Sequence, residues 1–323
     1  MKRLCYRVAL AMCFLWITIT PALAAAYLIP GGQVVGLQLQ NGSVTVAAFD
    51  DALGAGAREA GLKIGDQICE IDGTPITCAQ DVRRALARQT GEISLCVRRN
   101  GKERTVCMVP QSTADGPRLG IHLKQGITGI GTVTWYDPAT GRFGTLGHGV
   151  SQTGGGLLAM TGGEAFRAQV VGVKKGKCGD PGVLKGCADG VCGRLTDNTP
   201  QGVFGVTDTG WQGNALPAAD YADVHTGKAA IRSTVAGDRV QEYSVEILKI
   251  YPRERTDGRN FLLRVTDPEL LEATGGIVQG MSGSPILQDG KLIGAVTHVL
   301  INEPAAGYGI FIENMLEAAG QHF

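Results

Sequence analysis

Apolar and polar residues alternate through GSVTVAAF (residues 42–49), which predicts a strand with one buried face. AREAGLKIGDQICEIDGTPI contains two turns around a further strand, and CAQDVRRALARQ spaces Val82, Leu86 and Ala87 as a helix does. ISLCVRRNGKERTVCMV predicts a hairpin turning at Asn100-Gly101, a dipeptide that takes positive φ at low cost. Beyond the polar stretch STADGPRLG (112–120), which reads as a linker, the strand periodicity resumes. One strand is expected through Val133 to Tyr136, a turn at Asp137-Pro138, and a second strand from Arg142 to Leu146 that delivers His148. AFRAQVVGVKKG, GVFGVTD, YSVEILKIYPR and NFLLRVTD are further strand-like runs separated by Gly, Asp and Pro, as barrel staves would be.

The first residues follow another pattern. Lys2, Arg3 and Arg7 precede a mainly apolar run from Val8 to Thr20, and Ala22-Leu23-Ala24 offers a small-x-small cleavage pattern. Export is expected, with residues 1–27 acting as a signal or as a membrane anchor that is retained at first. Four segments follow from this reading: 1–27 signal or anchor, 28–111 a small α/β domain, 112–120 linker, and 121–323 a larger β domain.

Composition narrows the function. The chain of 323 residues has 30 basic and 30 acidic side chains, so no net field favours nucleic acid. Its 48 glycines and few aromatics suit a turn-rich, mainly β protein. Of nine cysteines, Cys5 and Cys13 lie in the export segment; Cys69, Cys78, Cys96, Cys107, Cys178, Cys187 and Cys192 remain, an odd number. Cys178, Cys187 and Cys192 sit in a Gly-rich stretch without a CxxC pair or a histidine, so a loop disulfide or plain loop residues are expected there rather than a metal site. No cofactor and no metal are expected.

The chemistry concentrates near the end of the chain, in GGIVQGMSGSPILQDGKLIGAVTHVL (275–300). GMSGSP places glycine two residues before a serine, which lets the amides of Gly280 and Ser282 converge on an oxyanion beside a Ser282 nucleophile. Ser284 is then a small residue that keeps the loop compact. A Gly-flanked histidine such as His148 is either an exposed loop residue or an unobstructed general base. His298, which closes the strand KLIGAVTHVL, is its rival or a neighbour that shapes the pocket. His122, His225 and His322 have simple structural readings.

Two resemblances sharpen this. AGLKIGDQICEIDGTPI is similar to the central signature of PDZ domains, which implies a groove where an extended peptide adds as a strand. The resemblance implies that the amides meeting its terminus come from PGGQVVGLQL, at Val35, Gly36 and Leu37. GTLGHGV, VTDPELL, TGGIVQGMSGSPILQDGKLIGAVTHV and GYGI resemble the SpoIVB family of sporulation serine peptidases, and the order of anchor, PDZ unit and catalytic unit resembles it too. The resemblance implies a chymotrypsin-like double β-barrel with His148 as base, Ser282 as nucleophile and Asp267 as the acid orienting the histidine. By its own context, an aspartate before proline, Asp267 is equally a turn or a helix N-cap. The family resemblance further implies self-cleavage, then cleavage of a membrane-bound regulator of an intramembrane protease, in the space between forespore and mother-cell membranes. The alternatives are a catalytically inactive PDZ scaffold that binds peptides, and an HtrA-like quality-control protease; the second is disfavoured because its PDZ follows the protease.

Overall fold

Two long strands organise the chain. β1 (Tyr27–Pro30) is followed by β2 (Val34–Phe49), and β9 (Ile121–Tyr136) pairs antiparallel with β2 along almost its whole length. Between them lie α1 (Ala55–Glu59), β3 (Gln67–Ile71), β4 (Thr74–Pro75), α2 (Ala79–Leu86), β5 (Ile93–Arg99), β6 (Lys102–Met108), β7 (Gln111–Thr113) and β8 (Gly116–Arg118). The structure is a computed structural model and describes residues 26–87, 89, 91–152 and 155–321. The proposed export segment falls on residues outside this range, apart from Ala26, which accepts the amide of Ala218, and Tyr27, which opens β1. Among the described residues, no helix is long and apolar enough to cross a membrane.

The two long strands each serve two units. Their register shifts between Leu39 and Val44, where Gly42 and Gly126 both take positive φ of 67° and 66°. A Cβ at Gly126 would collide with the carbonyl of Leu39, so glycine lets the paired backbones bend here. On one side of the bend, Val44–Phe49 and Ile121–Gln125 join β3, β5 and β6 in a small sheet. Its core packs Val44, Val46, Ile68, Leu95 and Val97 beneath Val82 and Leu86 of α2. The Asn100-Gly101 hairpin forms as its sequence predicts, with φ of 52° and 75°. Asp66, fully buried in the Gly65-Asp66 turn, accepts both a bidentate contact from Arg99 and the amide of Lys63.

On the other side of the bend, β2 and β9 close a six-stranded barrel with β10 (Arg142–Thr145), β11 (Gly162–Lys174), β12 (Val183–Thr199) and β13 (Gly202–Val206). Val35, Leu37, Val133, Phe143 and Leu195 fill it. β14 (Leu216–Pro217) pairs with β1, and the chain passes to a second closed barrel. That barrel runs β15 (Gly227–Ser233), β16 (Gln241–Ile250), β17 (Phe261–Val265), α3 (Pro268–Thr274), β18 (Pro285–Gln288), β19 (Lys291–Leu300) and β20 (Glu303–Phe311) in chain order. Phe261 and Phe311 meet edge-on at 4.5 Å at its centre. α4 (Ile312–Ala318) then returns to the first barrel, packing Leu316 in one cluster with Trp135 and Phe204. The fold is mainly β, with two six-stranded barrels in the chymotrypsin-like manner.

Two boundaries differ from the sequence reading. Residues 112–120 are no free linker: β7 and β8 form a hairpin there, and Leu119 enters the small core. Nor does the first unit end at residue 111, because strand Ile121–Gln125 belongs to the small sheet while Val34–Leu39 belongs to the barrel. Pro and Gly marked a chain reversal that composition alone could not tell from a linker. A fragment of residues 28–111 therefore lacks the strand beside Val44–Phe49 and is expected to stay unfolded, whereas residues 42–125 fold; far-UV circular dichroism and amide chemical-shift dispersion of the two fragments check this.

Candidate active site

The serine loop, Ile277–Ser284, lies between α3 and β18 and is held from both barrels. Thr132 of β9 donates its amide to Ser282 O (2.9 Å) and its hydroxyl to Gly280 O (2.8 Å). Thr134 donates its hydroxyl to Gly283 O at 2.8 Å. Both threonines are fully buried. From the second barrel, Gly283 N donates to Val296 O (2.7 Å) and Val296 N to Ser284 O (2.9 Å). Met281 plugs the second core without exposed surface. Ser284, buried as its compact position predicted, donates to the Ser233 hydroxyl at 3.1 Å.

This pinning leaves two amides over. Gly280 takes φ +100° and Gly283 φ +96°, and a Cβ at Gly283 would run into the carbonyl of Thr132. Among the described residues, no hydrogen bond engages Gly280 N or Ser282 N, the pair that GMSGSP marks as oxyanion donors. The loop's carbonyls are thus consumed by threonines and strands while these N–H groups stay open.

His148 arrives from β10 through a tight reversal in which Leu146 and Gly147 both adopt left-handed φ, 69° and 68°. For a bulky leucine this conformation costs on the order of 1–3 kcal/mol and is held by the surrounding packing. Gly147 lies against Thr297 and Ile310 of the second barrel, so the histidine stands at the seam. Its ring lies 5.3 Å from that of His298, planes tilted by 37°. Ser282 Oγ donates to Thr297 O at 2.9 Å, and the Thr297 hydroxyl donates to Gly258 O at 2.6 Å. Ser282, His298 and His148 therefore gather around one strand end, with Gly258 beside Gly147 and His298. Among the described residues no hydrogen bond joins Ser282 to His148; the Ser282 hydroxyl is given to the Thr297 carbonyl.

Burial pushes the His148 pKa below its ordinary 6.5, against a smaller raising effect of the Gly149 carbonyl. His298 is lowered further, to about 4, by burial, then by the charges of His148 and Arg259, with Asp257 opposing. Its Nδ1 is buried and has no hydrogen-bond partner among the described residues. Both rings are neutral near pH 7, the state a general base requires.

Asp267 does not join them. It is the N-cap of α3: one oxygen accepts the amides of Glu269 (3.0 Å) and Leu270 (3.1 Å), the other the amide of Ser244 (3.2 Å). His148 instead places Nδ1 3.0 Å from the carbonyl of Gly149. The alternative that Asp-Pro itself suggests, a helix cap, is the one its contacts fill.

Val35, Gly36 and Leu37 are likewise not free to meet a peptide. In β2 they pair with Arg167, Phe166 and Ala165 on one side and with Gly131, Ile130 and Gly129 on the other, and Val35 and Leu37 are core. An open cleft of about 750 Å³ lies instead between α2 and the strand that follows Gly120, lined by Val82, Leu86, Leu119, Ile121 and Leu123. Ile121–Leu123 pairs with β2 along one edge and faces α2 with the other. Gly120 takes φ +68°, and a Cβ there would collide with Leu53 O.

Cys192 is buried in the first barrel, whereas Cys178 and Cys187 are exposed; all three are free thiols. The two threonines of β9 went unread because polar residues in a strand usually face water, and here that face meets the second barrel. Thr132→Val keeps the shape but strands the buried Gly280 carbonyl, and is expected to cost about 1–3 kcal/mol, measured as a lower denaturant midpoint with an unchanged m-value.

Comparison with known proteins bears on the whole chain unevenly. Two curated relatives, each named a putative zinc metalloprotease, match short stretches: one of Agrobacterium fabrum is 38% identical over 88 residues, 27% of this chain and 22% of that protein. The other, of Rhizobium meliloti, is 39% identical over 77 residues, 24% of this chain and 21% of that protein. The chain thus spans about a fifth of the length of these relatives. The crystal structure of the protease Rv3671c in its inactive form aligns with a TM-score of 0.35 and 13% identity, over 59% of this chain and 84% of that one. An inactive mutant form of the same protein, from M. tuberculosis, aligns at 0.34 and 16%, over 60% and 80%. The model of the SpoIVB peptidase S55 family matches residues 115–316, well over half the chain and the span that holds the serine loop, His148, the second barrel and every strand of the first barrel except β2, and the protein belongs to that family of serine peptidases.

Proposed function

We propose that the protein is a serine endopeptidase in which Ser282 is the nucleophile, His148 the general base, and the amides of Gly280 and Ser282 the oxyanion hole. The observation that carries this reading is the serine loop itself: two unengaged N–H groups flank a half-buried hydroxyl at the seam where His148 lies. With Nδ1–H donated to Gly149 O, the lone pair of His148 resides on Nε2. A substrate carbonyl entering the hole exchanges the Ser282–Thr297 bond for one to Nε2. His148 then takes the hydroxyl proton as Oγ attacks, and returns it to the leaving amine; water repeats the cycle on the acyl-enzyme.

In the small unit, the cleft beside α2 is the place for an extended peptide, added as a strand along Ile121–Leu123 with an apolar residue toward Val82 and Leu86. This is a PDZ-like role at a different position from Val35–Leu37. Because β2 and β9 run from the cleft into the first barrel, occupancy of the cleft can bias the barrel that carries His148. The family resemblance supports an exported peptidase that shortens itself and then cuts a membrane-associated regulatory protein between the forespore and mother-cell membranes.

Purified protein is expected to shorten itself on the N-terminal side of the small unit, and Ser282→Ala and His148→Ala to remain intact, with kcat reduced about a millionfold; mass spectrometry of the three proteins over time decides it, and equal shortening removes Ser282 from the mechanism. The charged and titratable groups around the two rings are His148, His298, Arg259 and Asp257. Neutral His148 is the active form and its pKa is depressed, so activity is retained as pH falls past 6.5 and lost only below it. A kcat/KM profile on a peptide substrate should place the acid limb under pH 6.5.

A further inference from the structure

Resting on the assignment of His148 as base, we infer that the histidine is oriented by main chain under the control of Asn198, a positioning residue, and not by a carboxylate. A general base of this kind needs one ring nitrogen held as N–H by a fixed acceptor, so that the other faces the nucleophile. The acceptor here is Gly149 O at 3.0 Å. A peptide carbonyl on an exposed loop would be a poor anchor, but this one is clamped immediately downstream.

Asn198, near the end of β12, spends its whole amide on the segment after His148. Its Oδ1 accepts Val150 N at 2.9 Å, and its Nδ2 donates to Val150 O and Leu158 O, each at 2.9 Å. The Val150 contacts imitate one rung of an antiparallel ladder, and the Leu158 contact closes the loop that returns from it, where Leu158 N also donates to Val150 O. The neighbouring Thr199 carbonyl lies so close to Gly149 that a Cβ there would stand 2.6 Å from it. The Gly149 peptide is thus wedged between β12 and the imidazole, with no freedom to turn its carbonyl away.

The carboxylate that would ordinarily do this is committed elsewhere. The hydrogen bonds that the Asp267 carboxylate accepts come from backbone amides of α3 and of β16, while Arg259 and Asp257 act on His298, and His148 is shifted by burial and the Gly149 carbonyl. Asparagine caps helices about as well as aspartate. That equivalence separates the two roles, since an amide in place of a triad carboxylate lowers kcat about 10⁴-fold.

Asp267→Asn and Asp267→Ser are therefore expected to keep kcat within about tenfold of the parent, with an unmoved acid limb. Asn198→Ala is expected to lower kcat about 10- to 100-fold with KM little changed, taking the loss of a fixed hydrogen bond to a charged group as the scale. It should also shift the acid limb to lower pH, because the Gly149 carbonyl that favours the protonated ring is released. Asn198→Asp keeps only the Val150 N contact and should not restore kcat.

Nitrogen-detected NMR of the histidines in the Ser282→Ala background provides a reading independent of turnover. The Nδ1–H signal of His148 should survive Asp267→Asn and broaden or shift in Asn198→Ala. Loss of kcat beyond about a hundredfold in a folded Asp267→Asn protein, or an unchanged Nδ1–H signal and kcat in folded Asn198→Ala, overturns the inference. Failure of Ser282→Ala to stop cleavage is a different result and removes the assignment of the nucleophile on which it rests.

Discussion

The constraint on which the site depends is the grip of two buried threonines in one barrel on the serine loop of the other. Thr132 and Thr134 stand on the face of β9 that points away from the first core, and their hydroxyls take up the carbonyls of Gly280 and Gly283. The planes that carry the Gly280 and Ser282 N–H groups lie next to these and are fixed through their own carbonyls, Gln279 O accepting Leu184 N and Met281 O accepting Ser284 N. Satisfying the carbonyls from inside the protein is what turns amide donors outward, and desolvated, prepaid donors are what stabilise a developing oxyanion. The glycines are required because the turn passes through positive φ, and because a Cβ at Gly283 would strike the strand that holds it.

The same strand carries the connection to the small unit. β9 begins beside the cleft, bends with β2 at Gly42 and Gly126, and continues to Thr132 and Thr134. The strand beside the cleft is thus the one that reaches the serine loop, through a β2–β9 pairing interrupted only at the bend. The Ser282 hydroxyl is held by the second barrel, through Thr297, while the His148 ring is held by the loop that leaves the first.

Much of this was legible beforehand. Alternation predicted the strands around GSVTVAAF and ISLCVRRNGKERTVCMV, Asn100-Gly101 predicted its hairpin, and GMSGSP predicted a loop whose amides are free. For His148, flanking glycines and a preceding strand leave a loop residue and a general base both open, and only the resemblance to the family selects the second. Asp267 shows where motif and contact part: VTDPELL matches a family pattern, yet aspartate before proline at the head of a helix has a local use, and short-range capping bonds satisfy it completely. Val35, Gly36 and Leu37 were misplaced for a related reason, since a glycine-bearing apolar run looks alike as a loop or as a strand paired on both edges.

What the chain determines by itself is therefore local: the period of its strands, the handedness of its glycine turns, and the capping of its helices, all of which rest on forces acting between near neighbours. Tertiary structure alone decides that polar threonines on β9 face a second barrel, that residues 34–39 and 121–125 belong to different units from the ones their positions suggest, and that His148, His298 and Ser282 share one seam. These depend on which surfaces meet across more than a hundred residues of chain. Burial then reassigns them: a threonine that would hydrogen-bond water must find a carbonyl, and an asparagine must spend every donor and acceptor on the peptide groups it encloses.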